Sequence, residues 1–187
     1  MPRSDDEGEL FELIRHRSFR EGSFKLSSGA ASPFYFNLKP TMMSPRGAYL
    51  SAASFLERAR AARAEFVGGL EMGAVPLIGA LAALSEAEGH PVKTFFVRKQ
   101  PKSHGTMDSI EGLAADESLA DTRVLVVDDV ATTGASLLKA AQIARAAGAL
   151  VDTALVLVDR EEGAAERLAT ENIRLLSVFR GQEFLGR

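Results

Sequence analysis

The chain contains no cysteine, which excludes disulfides, thiolate catalysis and sulfur-ligated zinc. It also lacks an excess of positive charge: 22 Lys and Arg against 25 Asp and Glu leave a net charge of −3 and a pI near 5.7. A nucleic-acid surface would want a basic stripe, so that class of partner is disfavoured. Asp5, Asp6, Glu7 and Glu9 open the chain and no apolar segment of a signal peptide follows them. The longest nearly apolar stretch, 73–84, is too short to span a bilayer. No repeat, low-complexity segment or linker divides the 187 residues, whose 46% apolar content suits one compact domain. A soluble, cytoplasmic protein is the expectation.

What the chain does have is Val124-Leu125-Val126-Val127-Asp128-Asp129-Val130-Ala131-Thr132-Thr133-Gly134-Ala135-Ser136. The apolar β-branched run reads as a buried strand over 123–128, and a helix-like stretch occupies 137–147. The small and hydroxylated residues between them let a backbone approach an anion. The free N–H groups and the dipole of the helix start attract it, and Thr132, Thr133 and Ser136 add hydroxyl donors. The Lys-Ser/Thr pair of a nucleoside-triphosphate loop and the three spaced glycines of a dinucleotide site are both missing. Adjacent strand residues point to opposite faces, so Asp128 and Asp129 reach one ligand only if the strand has already broken into the loop. Together they suit a diol or a hydrated magnesium ion. The plainer alternative is a solvated strand edge with an Asx turn and a helix cap.

The stretch 126–134 resembles the phosphoribosyl-pyrophosphate (PRPP) motif of type I phosphoribosyltransferases. The resemblance implies that Asp128 and Asp129 hold the ribose hydroxyls, and that Val130, Ala131, Thr132, Thr133, Gly134, Ala135 and Ser136 cradle the 5-phosphate. Alternating strands at about 66–70, 93–97, 123–128, 150–158 and 173–178 with helices between them argue for an α/β, doubly wound, mostly parallel sheet. Helices are expected over 7–17, 45–63, about 75–87 and 137–147.

Phe24 and Leu26, a glycine-bearing turn, and Ser32-Pro33-Phe34-Tyr35-Phe36-Asn37 predict an antiparallel hairpin within a small N-terminal hood at about 18–40. Tyr35 and Phe36 are candidates to stack on a flat heterocycle, with a hydrophobic flap as the equal alternative. The pairing of Phe-x-Leu-x-Ser-Gly with Ser-Pro-x-x-x-x-Asn is similar to the hood of orotate phosphoribosyltransferases. Some members carry a ligand-contacting lysine where this chain has Ser27.

The turn after the strand at 66–70 carries Glu71-Met72-Gly73-Ala74, a second place where backbone N–H groups could meet an anion. The resemblance makes Glu71, Met72 and Gly73 part of the pyrophosphate loop, again with Gly73 where some members have a lysine. After the strand at 93–97 come Arg98, Lys99, Lys102 and His104 within a polar stretch free of acids. Cations delivered by a loop would stabilise a departing pyrophosphate more than the ground state. A solvated, mobile charge run is the alternative, and a lid is compatible with it. Lys99, Lys102, His104 and Gly105 are similar to the catalytic loop of orotate phosphoribosyltransferases, placed here at about 99–112. Lys99, Lys102 and His104 are therefore the expected catalytic residues. All four cations are expected to contact PRPP, and the resemblance implies a homodimer whose loops serve neighbouring sites.

Arg160 follows the strand at 150–158 and sits at the same rim as Asp128 and Thr132. Alone, it reads as an ion-pair residue for Glu161 or Glu162. In the resembling family the matching arginine grips the orotate carboxylate, with Thr132 beside it. The expectation is transfer of ribose 5-phosphate from PRPP to orotate, with Mg²⁺ carried by PRPP and Asp128 and Asp129 as its candidate ligands through water. A same-fold enzyme for another base and a non-catalytic PRPP sensor are the rivals.

Overall fold

The computed structural model describes residues 5–25, 31–100 and 109–186. Its frame is the sheet built from β3 (Phe66–Leu70), β4 (Lys93–Val97), β5 (Ile110–Glu111), β6 (Arg123–Ala131), β7 (Leu150–Asp159) and β8 (Arg174–Arg180). The strand order is β5-β4-β3-β6-β7-β8. All neighbours are parallel except β4 and β5.

Both faces of the sheet are covered, which is why its central strands read as continuous apolar runs. Along β6 the side chains alternate between the two sides. Leu125 and Val127 enter one core with α1 (Asp5–Arg17), α3 (Pro45–Ala61) and α4 (Val75–Ala87). Val124 and Val126 enter the other, against α5 (Ala135–Ala146) and α6 (Ala164–Ala169). Alanines at 140, 141 and 144 line the buried face of α5. The doubly wound expectation therefore holds, with a small separate hairpin of β1 (Phe19–Lys25) and β2 (Ala31–Phe36).

The hairpin is pinned to the body by rings. Phe184, fully buried in the short 3-10 turn Gly181–Phe184, stacks on Phe11 of α1 with centroids 4.3 Å apart and meets Phe36 edge-on at 5.1 Å. Phe19 lies 5.1 Å from Phe36 and 6.2 Å from Phe34. Such aromatic contacts contribute about 0.5–1.5 kcal/mol each beyond area burial. The C-terminal turn thus sets where the hood stands.

Several boundaries differ from the expectation. β6 continues to Ala131 rather than ending at 128, because β7 extends alongside it and pairs Val130 with Val158 and Ala131 with Asp159. The last strand runs to Arg180, and α3 stops at Ala61. Ile110 and Glu111 are not part of a loop but pair antiparallel with β4. A one-turn helix α2 (Lys39–Met42), absent from the sequence reading, follows the hood and buries Thr41 and Met42.

Candidate active site

The β3–β6 ladder ends at Val126, whereas β6 stays paired with β7 through Ala131. The strand breaks on one edge only. Into the resulting crevice project both acids, so the expected requirement that the whole strand be broken is corrected. Each carboxylate folds back onto the next residue: Asp129 N–H donates to Asp128 Oδ1 at 2.9 Å, and Val130 N–H donates to Asp129 Oδ1 at 2.9 Å. They converge on Gly73, where a Cβ would collide with Asp128 Oδ1 and come within 2.8 Å of Asp129 Oδ1.

Asp128 is 8% exposed. Burial pushes its carboxyl well above the usual carboxylate range, the Asp129 charge raises it further, and the positive charge of Lys39 pulls the other way.

Two adjoining cavities meet here. One, of about 310 Å³, is lined by Lys39, Glu71, Gly73, Lys99, Asp128 and Asp129 among others. The other, of about 260 Å³, is lined by Thr132, Thr133, Gly134 and Ala135, and shares Asp128, Val130 and Ser136 with the first. Gly134 takes φ +73°, and no side chain caps α5 behind it. The N–H groups of the first helical turn are thus unclaimed by a cap and face a polar cavity, the arrangement that holds an anion. A left-handed backbone at this position favours glycine, and a Cβ would also press on the Ala164 backbone at 3.2 Å.

The turn after β3 brings Glu71, Met72 and Gly73 to the first cavity, Met72 with much of its side chain exposed. The Glu71–Met72 peptide is cis. Lys99 lines the same cavity of its own chain. Arg98 instead turns to Glu111 of β5, with Nη1 3.3 Å from Oε1, and is not among that cavity's lining residues. Lys102, His104 and Ser27 lie outside the described residues.

Arg160 is 5% exposed. Its main-chain N–H donates to Ala131 O at 2.9 Å, tying it to the end of β6. Its side chain donates from Nε and Nη2 to Glu162 Oε1 at 3.0 and 2.7 Å and from Nη2 to Ser32 Oγ at 2.8 Å. The guanidinium carbon lies 4.8 Å from the Phe34 ring centroid. The Glu162 pairing was one of the two readings of the sequence; Ser32 and Phe34 were missed, although Ser32-Pro33-Phe34 stood inside the quoted hood motif. Of the two expected stacking rings, Tyr35 is exposed and packs near Phe24 at 5.6 Å. Phe36 is a correction: its ring is buried with Phe19, Phe34 and Phe184 and belongs to the core. Lys39 was also missed as a cavity residue.

Among the described residues, no group of three or more His, Cys, Asp or Glu converges as a self-sufficient metal cage. Magnesium is commonly held by one or two carboxylates with the remaining positions filled by substrate phosphates and water. The Asp128–Asp129 pair, beside an anion cavity, fits that donor set.

The chain is similar in sequence and fold to known proteins. The family model of the phosphoribosyl transferase domain matches residues 52–176. The orotate phosphoribosyltransferase of Bradyrhizobium sp. (strain ORS 278) is 50% identical over 185 residues, 99% of this chain and all of the relative. Among solved structures, Mycobacterium tuberculosis H37Rv orotate phosphoribosyltransferase in complex with Fe(III) dicitrate matches with a TM-score of 0.82 at 35% identity. That match covers 96% of this chain and 99% of the other. The complex of the M. tuberculosis enzyme with 5-phospho-alpha-D-ribosyl 1-diphosphate (PRPP) gives 0.77 at 30% identity, over 97% and 93%. The chain belongs to the phosphoribosyltransferase family and, within it, to the orotate phosphoribosyltransferases.

Proposed function

We propose that the protein transfers the 5-phosphoribosyl group of PRPP to orotate, giving orotidine 5-monophosphate and pyrophosphate, as a Mg²⁺-dependent homodimer in the cytoplasm. The observation that carries the reading is the pair of joined cavities: a carboxylate-lined cleft that opens directly into an uncapped helix start. A hydroxylated sugar bearing a phosphate has that shape and charge. Asp128 and Asp129 take the ribose hydroxyls, and the loop from Thr132 to Ser136 takes the 5-phosphate. Arg160 lies at the same rim, held by Glu162 and Ser32, and presents a fixed guanidinium to the orotate carboxylate.

The chemistry asked of the chain is positioning and electrostatics. The C1–O bond to pyrophosphate breaks and its electron pair leaves with pyrophosphate, while the orotate ring nitrogen bonds to C1 and gives up its proton to solvent. Lys99 reaches the cavity of its own chain, and Lys102 and His104 are assigned to the neighbouring subunit's site, where either could donate a proton to the leaving group. Bound Mg²⁺ supplies charge neutralisation of the diphosphate. Among the described residues no helix is long and apolar enough to cross a membrane.

The test follows loss of orotate absorbance on adding PRPP and Mg²⁺, with adenine, hypoxanthine and uracil as rival bases. Orotate-specific turnover that collapses without Mg²⁺ and in Lys102→Ala is the expected result. PRPP binding without turnover of any base would replace the enzyme with a sensor. Mixing Lys102→Ala with Asp128→Asn subunits should restore part of the activity, since one hybrid site is then intact; no recovery from an exchanged mixture would refute the shared loop.

A further inference from the structure

Lys99 is held by its main chain from two sides. Its N–H donates to Glu71 Oε1 at 2.8 Å, and its C=O accepts from Lys139 Nζ at 2.7 Å. Glu71 belongs to the turn after β3, and Lys139 lies on α5, one turn beyond the helix start that lines the second cavity. These partners stand 28 and 40 residues from Lys99 in sequence. The two elements that frame the substrate cleft thus each extend one charged side chain to the same residue. Lys99 itself lines the cleft with Asp128 and Asp129.

A lysine on an exposed helix face ordinarily gains little by fixing its four-carbon stem, because ordering it costs side-chain entropy. Fixing the main chain of Lys99, however, decides where a second ammonium stands. Lys99 is the first residue but one after β4 and has no ladder partner there. Without Glu71 and Lys139 nothing among the described hydrogen bonds holds its two main-chain polar groups.

We propose that Lys139, acting with Glu71, is a positioning residue that holds Lys99 in place to meet the diphosphate of PRPP. This rests on the proposed reaction. Because α5 carries both Lys139 and the 5-phosphate cavity, one helix aligns the two phosphate-bearing ends of the substrate. Preplacing the cation removes reorganisation from the binding step.

The test measures steady-state kinetics, PRPP binding by calorimetry and Tm for Lys139→Ala and Lys139→Arg, each alone and combined with Lys99→Ala. Loss of one charge-assisted hydrogen bond should raise the Kd and KM for PRPP about five- to tenfold in Lys139→Ala, with the KM for orotate within about twofold and Tm unchanged. Lys139→Arg should recover most of the loss. In the Lys99→Ala background, Lys139→Ala should add less than about twofold, as coupled sites require. A full-sized effect in that background, an equal rise in both KM values, a drop in Tm, or no effect at all would overturn the role. Absence of orotate turnover in the unmodified protein would refute the reaction instead, and the calorimetric comparison would still decide the Lys139–Lys99 coupling.

Discussion

Replacing Asp128 by asparagine should stabilise the substrate-free protein while removing most of its activity. Asp128 is buried, and its Oδ1 and that of Asp129 crowd the same point beside Gly73. Two unit charges about 5 Å apart repel by about 1 kcal/mol in water and about 3 kcal/mol at an effective dielectric of 20. Burial adds to that cost, and both effects raise the Asp128 pKa. An acid whose folded pKa lies above its unfolded value of about 3.9 holds its proton more tightly when folded. Its favourable contribution is therefore present below the unfolded pKa and lost as pH rises through the folded one. At neutral pH asparagine removes the charge yet keeps an oxygen to accept the Asp129 N–H. A gain of about 1–2 kcal/mol raises Tm by about 2–8 °C for a chain of this size. With Asp128 in the proposed ribose-binding role, the variant should also lose charged hydrogen bonds to the sugar, worth about 10- to 100-fold in kcat/KM. Differential scanning of both proteins from acid to neutral pH, beside orotate turnover, checks the reasoning. The Tm gain should shrink as pH falls and wild-type Asp128 takes up its proton. A gain that ignores pH, or a loss at neutral pH, would refute the electrostatic account.

Asp129→Asn removes the negative charge that helps raise Asp128, so the acid limb of kcat/KM for PRPP should move to lower pH, read from a pH–rate profile; an unmoved limb rejects the pairing. Gly73→Ala places a Cβ against both carboxylates and should cost about tenfold or more in kcat/KM for PRPP, with a destabilisation of about 1–3 kcal/mol by denaturant titration; an unchanged KM would show that the turn is not at the substrate. Arg160→Lys loses the fork to Glu162 and Ser32 and the contact with Phe34. It should raise the KM for orotate about 10- to 100-fold and that for PRPP less than threefold, and equal rises would remove Arg160 from orotate recognition.

The strand at 66–70 is legible in the sequence because it is buried along its whole length and carries no charge, and the one at 93–97 because Phe95, Phe96 and Val97 close it with β-forming residues although Lys93 at its start is exposed. The extension of β6 through Asp128 to Ala131 is not, since acids and a threonine-rich turn read as loop until β7 supplies the other half of the ladder. The two-residue β5 and one-turn α2 are too short to leave a period. Phe36 is a different case. Strand alternation puts Phe34 and Phe36 on one face and Tyr35 on the other, so once Phe34 packs inward Phe36 must follow, as the ring contacts show. Period two was there to be used against the choice of Phe36. Lys39 and Lys139 could not be reached by pattern at all, because each acts across the crevice on a residue distant in sequence.

The site arises from a mismatch in strand length at the point where the sheet order turns back. β3 connects onward to β4 on one side and, past that excursion, lies beside β6 on the other, the kind of switch point where ligands of open α/β sheets bind. β3 stops pairing with β6 at Val126 while β6 and β7 run on together, and β7 carries the register out to the pair Asp159 and Arg180. The uncovered edge of β6 is where Asp128 and Asp129 fold back on their own backbone, and the turn after β3 passes so close to them that a Cβ at position 73 would displace both carboxylates. Had β3 been longer, its ladder would have occupied that edge and filled the crevice. The same extension sets Arg160 beside Ala131, whose carbonyl takes the Arg160 N–H, so the main chain of Arg160 is fixed relative to the acid pair by the end of the sheet, while Glu162 in the following turn holds the guanidinium. The hood supplies Ser32 and Phe34 to the other side of that guanidinium. Thus the separation between the acid pair and the Arg160 main chain is set by the β6–β7 ladder, which is paired from Arg123 to Ala131 and from Leu150 to Asp159.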